Sequence, residues 1–513
     1  MGEERSSSFR TAINVSSSIL VLVLNVCISF FLSPYIIKTI GIEANGFVNL
    51  ANSFIAYADL IVVALNAMAA RFITLAYVKG DYTKANLYYN SVFWGNLIIV
   101  GALLVPSTVL IVRLELFVDV PDDILLDVKV LFAIIFSIFF VKTAVPNWDC
   151  GTAVTNRMDR SSFASMIASV IKCVLLVCMF SVLSPHIWYV GLAVAVSSLF
   201  LLGVQGYNTH TLTPELHIKI KKPLCSFDAL RELVGSGIWS SAAIAGNTLM
   251  SGLDLIVCNT YLGATLMGIL SVSKSIPNIL VSFSETIRGA FGPELTIAYA
   301  KGDKANICNC MVRSIKVSSV LVTIPAAGII VMSDALYRLW IPSQDAKLLQ
   351  TLTSLAILRY IVCSGIQNLN SVFVTVNKVK INSFALIITG AVSIGFTMLL
   401  IVCTDLDLFA VAGVSSIVMI IKDLCFMVPV TTKLLGLKWN TFYPQVGISV
   451  LCSGLIIAVG IIVRLFIPVN TWTAFFGACF IIGTIGLAIN MMVVLNKEER
   501  AYLIGIVKHK LKH

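Results

Sequence analysis

Long apolar runs separated by short polar breaks dominate the chain. A membrane-spanning helix needs about 20 mainly apolar residues, and fourteen runs of that kind occur: 13–37, 47–70, 88–112, 126–148, 162–183, 187–206, 233–259, 266–290, 312–333, 349–374, 382–403, 408–432, 443–467 and 471–495. Thr11 to Ile37, Ala85 to Val112, Trp439 to Val463 and Leu465 to Asn496 contain no charged residue at all. Cys173 to Pro214 is also free of Asp, Glu, Lys and Arg, and Ser184-Pro185 divides it into a hairpin of two spans. The ninth run is shorter, and the tenth carries Arg359 near its middle. The pattern predicts an all-α polytopic membrane protein with about 14 transmembrane helices.

The basic residues test that count. With the N-terminus in the cytoplasm and strict alternation, 24 of the 36 Lys and Arg fall on the inner side, 5 in outer loops and 7 within spans. Short cytoplasmic loops are enriched in Lys and Arg. Outer loops carry acidic clusters, Asp119-Asp122-Asp123 and Asp405-Asp407. A miscounted helix would scramble this asymmetry, so the expected topology places both termini in the cytoplasm.

The chain also contains an internal repeat. Ala76-Tyr77-Val78-Lys79-Gly80-Asp81 returns as Ala298-Tyr299-Ala300-Lys301-Gly302-Asp303, 222 residues later. At that offset Gly41 and Gly46 fall on Gly263 and Gly268, and Asn25 on Asn247; from Ser18 to Asp81, 12 of 64 positions are identical. The two hexads follow the second and eighth spans. An even offset of six spans keeps the same orientation, so the halves are parallel repeats related by an axis along the membrane normal. The expected architecture is two parallel six-helix repeats forming two lobes plus two C-terminal helices: residues 1–206 as one lobe, 207–231 as a polar, basic cytoplasmic linker, 232–434 as the second lobe, and 435–513 as spans 13 and 14 with a basic tail. The hexad itself reads as a helix stop and a charged turn.

Composition agrees. The chain is 58% hydrophobic and 12% charged, with mean hydropathy +0.94, against about 25% charged residues in soluble domains. The net charge of +10 sits in short loops between apolar runs, which marks a cytoplasmic face and excludes nucleic acid as a partner. The 13 cysteines form no C-x-x-C pair and lie mostly inside apolar runs, so they are expected to be hydrophobic fillers, with no metal site and no cofactor. An enzyme of lipid-linked sugar chemistry would need catalytic acids or a metal-binding carboxylate pair in a sizeable loop. The loops here are short, and Asp405-Leu406-Asp407 occupies an outer turn. The chain is therefore not expected to be an enzyme.

Ionisable groups within spans are costly and mark pathways or partners. They are Asp59, Lys142, Lys172, Asp254, Lys274, Glu285, Arg288, Arg359, Lys422 and Asp423, six cations against four acids. Lys142 and Lys172, with Lys129, lie near enough to span ends to snorkel. Asn45, Asn52, Asp59 and Asn66 recur every seven residues along span 2, on one stripe. The repeat places Lys274 at the Asn52 position and Arg288 at the Asn66 position. Glu285 lies three residues before Arg288, within side-chain reach on a helix, and Asp254 is the expected partner of Lys274. Lys274, Arg288 and Arg359 are thus the candidate substrate-binding residues of a cationic cavity. Asn52, Asp59, Asn66, Asp254 and Glu285 are candidates for a polar cavity stripe or for ion coupling, and Asp423 is a further coupling candidate. A cationic excess in the membrane suits a phosphate or pyrophosphate headgroup.

Leu262-Gly263-Ala264, Gly268-Ile269-Leu270-Ser271-Val272, Ile276-Pro277-Asn278 and Gly292-Pro293-Glu294-Leu295 resemble the second half of the Wzx-type polysaccharide flippases, within the multidrug/oligosaccharidyl-lipid/polysaccharide exporter superfamily. Ile40-Gly41-Ile42-Glu43-Ala44-Asn45-Gly46-Phe47 and Leu65-Asn66-Ala67-Met68-Ala69-Ala70-Arg71-Phe72 are similar to the first half, as is the run from Pro214-Glu215-Leu216 to Trp239. The likeness covers essentially the whole chain.

The resemblance implies two six-helix bundles around a central cavity and transport of undecaprenyl-pyrophosphate-linked oligosaccharide units across the bacterial inner membrane. They would feed O-antigen, lipopolysaccharide, capsule or exopolysaccharide biosynthesis by alternating access of the two lobes. The lipid bilayer and polysaccharide polymerase or assembly proteins are further expected partners. Two alternatives belong to the same superfamily: a lipid II flippase for peptidoglycan, and a multidrug or cation antiporter, which would need a net acidic lumen.

Overall fold

The computed structural model describes residues 2–66, 68–148, 150–155, 157–218, 226–251, 253–300 and 304–495. The second copy of Lys-Gly-Asp (residues 301–303), most of the basic part of the linker (219–225) and the basic tail from 496 lie outside these residues. Among the described residues the regular structure is entirely helical. That is the expected outcome for a chain whose backbone must satisfy its own hydrogen bonds in lipid. Thirteen of the helices are long and apolar enough to cross a membrane, and the chain is a many-span membrane protein.

The fourth expected span is present as the 20-residue helix Leu125–Ala144, which carries three charged residues, Asp127, Lys129 and Lys142. Two of its three charges lie in its first two turns and are held by groups outside it. Asp127 accepts a bond from His186 Nδ1 at 2.9 Å and one from the backbone N–H of Ile187 at 3.2 Å. Lys129 pairs with Glu115 at 2.7 Å and donates to the carbonyl of Val112 at 3.0 Å. These charges anchor an end of the helix, the environment in which a lysine stem lies along apolar surface with its head in water.

The sequence repeat is also a repeat of local geometry. Gly41 and Gly263 both have φ of 90°, a left-handed backbone that favours glycine. Each turn is closed by the same bonds: Gly41 N–H to Ile37 O at 3.0 Å, and Gly263 N–H to Asn259 O at 3.0 Å. The helices that follow, Ile42–Asn66 and Ala264–Ser273, meet each other at equivalent positions. A Cβ added at Gly46 would lie 2.9 Å from the Cα of Gly268, and one added at Gly268 would lie 2.7 Å from Ile42 O. The hydroxyl of Thr265 also donates to the carboxylate of Glu43, again a pair 222 residues apart. Close backbone approach through small residues is a common way for helices to associate in lipid.

The first hexad is a helix stop, as expected. Gly80 has φ of 76°, and its N–H bonds to Tyr77 O while that of Asp81 bonds back to Ala76 O at 3.0 Å. Asp81 then caps the next helix, Tyr82–Val112, by accepting from Lys84 N–H at 3.0 Å.

Two compact units are present: Met1–Thr248 with Leu255–Gly268, and Leu249–Asp254 with Ile269–His513. In the first, the segment after the helix Trp188–Leu212 is clamped rather than loose. Asn86 donates to Glu215 O at 2.7 Å and accepts from His217 N–H at 2.9 Å, while Asn90 donates to His217 O at 3.0 Å. The Tyr77 hydroxyl bonds to the Glu215 carboxylate. The helix Phe227–Ser251 then packs Ala229 and Leu233 against Ile73, Tyr88, Tyr89 and Val92, and Tyr88 donates to Glu232 at 2.7 Å.

The second unit is built around the ninth span, within Lys304–Trp340, the most buried of the thirteen. Spans 13 and 14, Tyr443–Phe466 and Trp472–Val493, dock on it. Arg464 forms a two-point pair with Asp334, at 2.6 and 2.7 Å, and also donates to Val331 O at 2.7 Å. Asn490 reaches Val320 O at 3.0 Å and Thr323 Oγ1 at 2.9 Å. These bonds matter because lipid supplies no hydrophobic drive for helix association. The other faces of the pair present Leu465, Phe466, Phe476 and Phe480 outward, suited to lipid.

Gly268→Val is expected to lower the melting temperature of the purified protein, since overpacking of this kind costs about 1–3 kcal/mol and the nearest atom, Ile42 O at 2.7 Å, is backbone. Gly101→Val serves as the control, because a Cβ there meets nothing within 4 Å. Equal melting of the two variants would contradict the close-approach reading.

Candidate functional site

The embedded charges are not isolated. The ammonium of Lys274 lies 2.6 Å from the carboxylate of Asp254, both largely buried. Lys274 occupies a one-residue interruption between the helices Ala264–Ser273 and Ser275–Ala300. Arg288, further along the second of these helices, pairs with Glu285 at 3.4 Å. The second pairing is the one expected from spacing, and the first joins Lys274 to the acid expected to neutralise it. Fourteen residues of helix separate Lys274 from Arg288, a rise of roughly 21 Å, so they serve different depths.

Arg359 has a partner that its own helix, Ala346–Cys363, does not supply. Its Nε donates to Asp423 Oδ2 at 2.8 Å. The other oxygen of the same carboxylate lies 2.8 Å from Lys422 Nζ. Asp423 is fully buried, and the side chains of Lys422 and Arg359 are only 5% and 14% exposed. Local backbone geometry makes this possible. The helix Asp407–Lys422 gives way at Asp423–Met427 to a wider turn, in which Val428 N–H reaches back five residues to Asp423 O. Such π-bulges re-aim side chains and occur often at functional sites. Tyr360 lies within electrostatic reach of Arg359, Asp423, Arg288 and Glu285. The structure therefore joins Arg359 to Asp423 and Lys422, and pairs Arg288 with Glu285 on its own helix.

The polar stripe of span 2 does not share one environment. Asn45 is buried, while Asn52 and Asp59 are exposed. Asp59 interacts electrostatically with Lys142. Asn66 is committed to Asn96, each amide donating to the other at 2.9 and 3.3 Å. That bond joins helices within the first unit.

Once pairs are assigned, the six-to-four excess of embedded cations has an address. Asp59 faces Lys142, Asp254 holds Lys274, Glu285 holds Arg288, and Asp423 serves both Arg359 and Lys422. The surplus charges are one in the Arg359–Asp423–Lys422 triad and one at Lys172, which has no carboxylate partner among the described residues. No group of His, Cys, Asp and Glu able to hold a metal ion occurs among those residues. Spacing did not reveal the triad, because its members come from two separate spans. The one local hint was the adjacent pair Lys422-Asp423 inside an apolar run.

With this fold and these charges described, comparison with known proteins places the architecture. An inward-facing multidrug-resistance MATE transporter of the MOP superfamily superposes with a TM-score of 0.64, at 13% identity, covering 82% of this chain and 98% of that one. The fold is like that of this transporter. The lipid II flippase MurJ, in an inward closed conformation, superposes with a TM-score of 0.62 at 14% identity, covering 93% of this chain and 98% of that one. In sequence, the chain is 25% identical over 492 residues to the uncharacterized membrane protein EpsK of Bacillus subtilis strain 168, covering 95% of this chain and 96% of that protein. No protein-family model matches the chain.

Lys274→Ala is expected to destabilise the protein by about 3 kcal/mol or more, because it strands a buried carboxylate. Adding Asp254→Ala should recover much of that loss. A double-mutant cycle on thermal unfolding in detergent measures the coupling; additive losses would mean that the 2.6 Å contact carries no pairing energy.

Proposed function

We propose that this chain is a flippase for lipid-linked oligosaccharides. It moves undecaprenyl-pyrophosphate-linked saccharide units from the inner to the outer leaflet of a bacterial inner membrane, for surface polysaccharide biosynthesis, with both termini in the cytoplasm. One observation carries the proposal: a fold like that of MurJ whose embedded surplus charge is positive, one of the two surplus charges lying in the triad of Arg359, Asp423 and Lys422. A cation-exporting relative would want the opposite sign. A cationic site suits a pyrophosphate through charge-assisted hydrogen bonds.

The transport mechanism is alternating access. The saccharide headgroup crosses in a wet cavity lined by Arg288 and Arg359, with Lys274, Asp254 and Glu285 as polar surroundings or coupling groups, while the prenyl tail stays in lipid. This avoids carrying sugar hydroxyls through hydrocarbon, where an unpaired polar group costs several kcal/mol. A second reading, a lipid II flippase, is favoured by the similarity to MurJ over 93% of this chain. Both readings share the pyrophosphate and differ in the glycan.

Deletion of the gene is expected to cause accumulation of undecaprenyl-linked repeat units at the inner leaflet and loss of surface polymer. Unchanged polymer with increased dye sensitivity would point to drug export instead, and arrested peptidoglycan synthesis would select the second reading. Arg288→Ala and Arg359→Ala should each impair export while the protein still reaches the membrane; wild-type polymer in both would exclude the cationic cavity.

A further inference from the structure

The Arg359–Asp423–Lys422 triad has a directional arrangement that charge counting does not capture. Arg359 spends only Nε on Asp423. Neither Nη group makes a hydrogen bond among the described residues, and Arg359 has the most exposed side chain of the triad, 14% against 5% for Lys422 and none for Asp423. Asp423 is therefore the more deeply buried partner, and the Arg359 Nη groups, unlike Lys422 Nζ, are not among the fully buried unpartnered atoms. On the buried side, Lys422 Nζ lies 2.8 Å from Asp423 Oδ1 but lacks an aligned hydrogen bond. The triad thus carries one net positive charge, with donors still unsatisfied. Arg288 shares the neighbourhood through Tyr360.

We propose that Asp423 is a positioning residue: it grips Arg359 by Nε from within the protein and presents the free Nη edge to a phosphate of the transported headgroup. Lys422 supplies the positive charge that keeps the assembly cationic although it contains a carboxylate. Lys422 and Asp423, neighbours in sequence, meet beside Arg359 where the helix Asp407–Lys422 gives way to the π-bulge at Asp423–Met427. A planar fork held in one orientation suits two-point recognition of a phosphate, for which a lysine cannot substitute. This inference rests on the proposed pyrophosphate-linked substrate.

Positioning and simple charge balance predict opposite signs, which makes the idea testable. If Asp423 only neutralised its neighbours, Asp423→Ala would raise the local charge and tighten anion binding. As a positioning residue, its loss frees the guanidinium to rotate and weakens binding despite the added charge. The measurement is binding of a short-chain prenyl pyrophosphate to the purified full-length protein in detergent, with the corresponding prenyl alcohol as reference. The wild type is expected to prefer the pyrophosphate. Asp423→Ala should weaken that preference about tenfold or more, Asp423→Asn, which keeps an acceptor for Nε, should retain most of it, and Arg359→Lys, which keeps the charge and loses the fork, should weaken it like Asp423→Ala. If Asp423→Ala fails to fold, Arg359→Lys decides. Tighter binding in Asp423→Ala, or unchanged binding in Arg359→Lys, overturns the positioning role and leaves the pyrophosphate reading standing. A wild type that does not distinguish pyrophosphate from alcohol overturns both.

Discussion

A charge inside a lipid-embedded helix must find its opposite within the protein, and the second unit is arranged around that requirement. Desolvating an ion is expensive, and its partner repays the cost only when geometry and hydrogen bonding are good. Asp423 meets that condition by sitting between two cations from different places in the chain, one across an interhelical gap and one next door on a bulged turn. Removing any member leaves the others in a medium that cannot solvate them. The same logic governs Asp254 with Lys274 and, nearer the helix ends, Asp334 with Arg464.

Most of the fold was legible in the sequence, because lipid imposes a coarse and consistent code. Run length announced the helices, and the 222-residue offset placed equivalent turns on each other. Gly41 and Gly263 then turned out to share a backbone conformation as well as a position. The fourth span was legible as a helix, but its charged ends were not legible as anchors, since their partners Glu115 and His186 lie outside it. The segment after residue 212 looked like a polar connector. Its attachment depends on the amides of Asn86 and Asn90 reading the backbone of 215–217 from another helix, and such contacts leave no trace in local spacing.

The candidate site was legible in its components and opaque in its assembly. Arg288 with Glu285 could be paired from separation along the chain, since helix periodicity converts sequence distance into direction, whereas only charge pointed from Lys274 to Asp254. Arg359 could not, because periodicity says nothing about which span faces which. Asn66 illustrates the reverse case. Its stripe suggested a shared polar surface, yet its amide is spent on Asn96 and works as glue between helices.

The contact between Gly46 and Gly268 has a bearing on how such a protein can change over generations. The two residues descend from one ancestral position, and each now forms the wall against which the other is fitted. Elsewhere the copies have drifted until only 12 of 64 aligned positions agree. At this point neither copy has slack to give, because each is already the smallest residue available and a gain in volume on one side cannot be offset by shrinkage on the other. Divergence, which left Lys274 and Arg288 in one copy where the other has Asn52 and Asn66, is therefore arrested where the duplicated segments touch themselves.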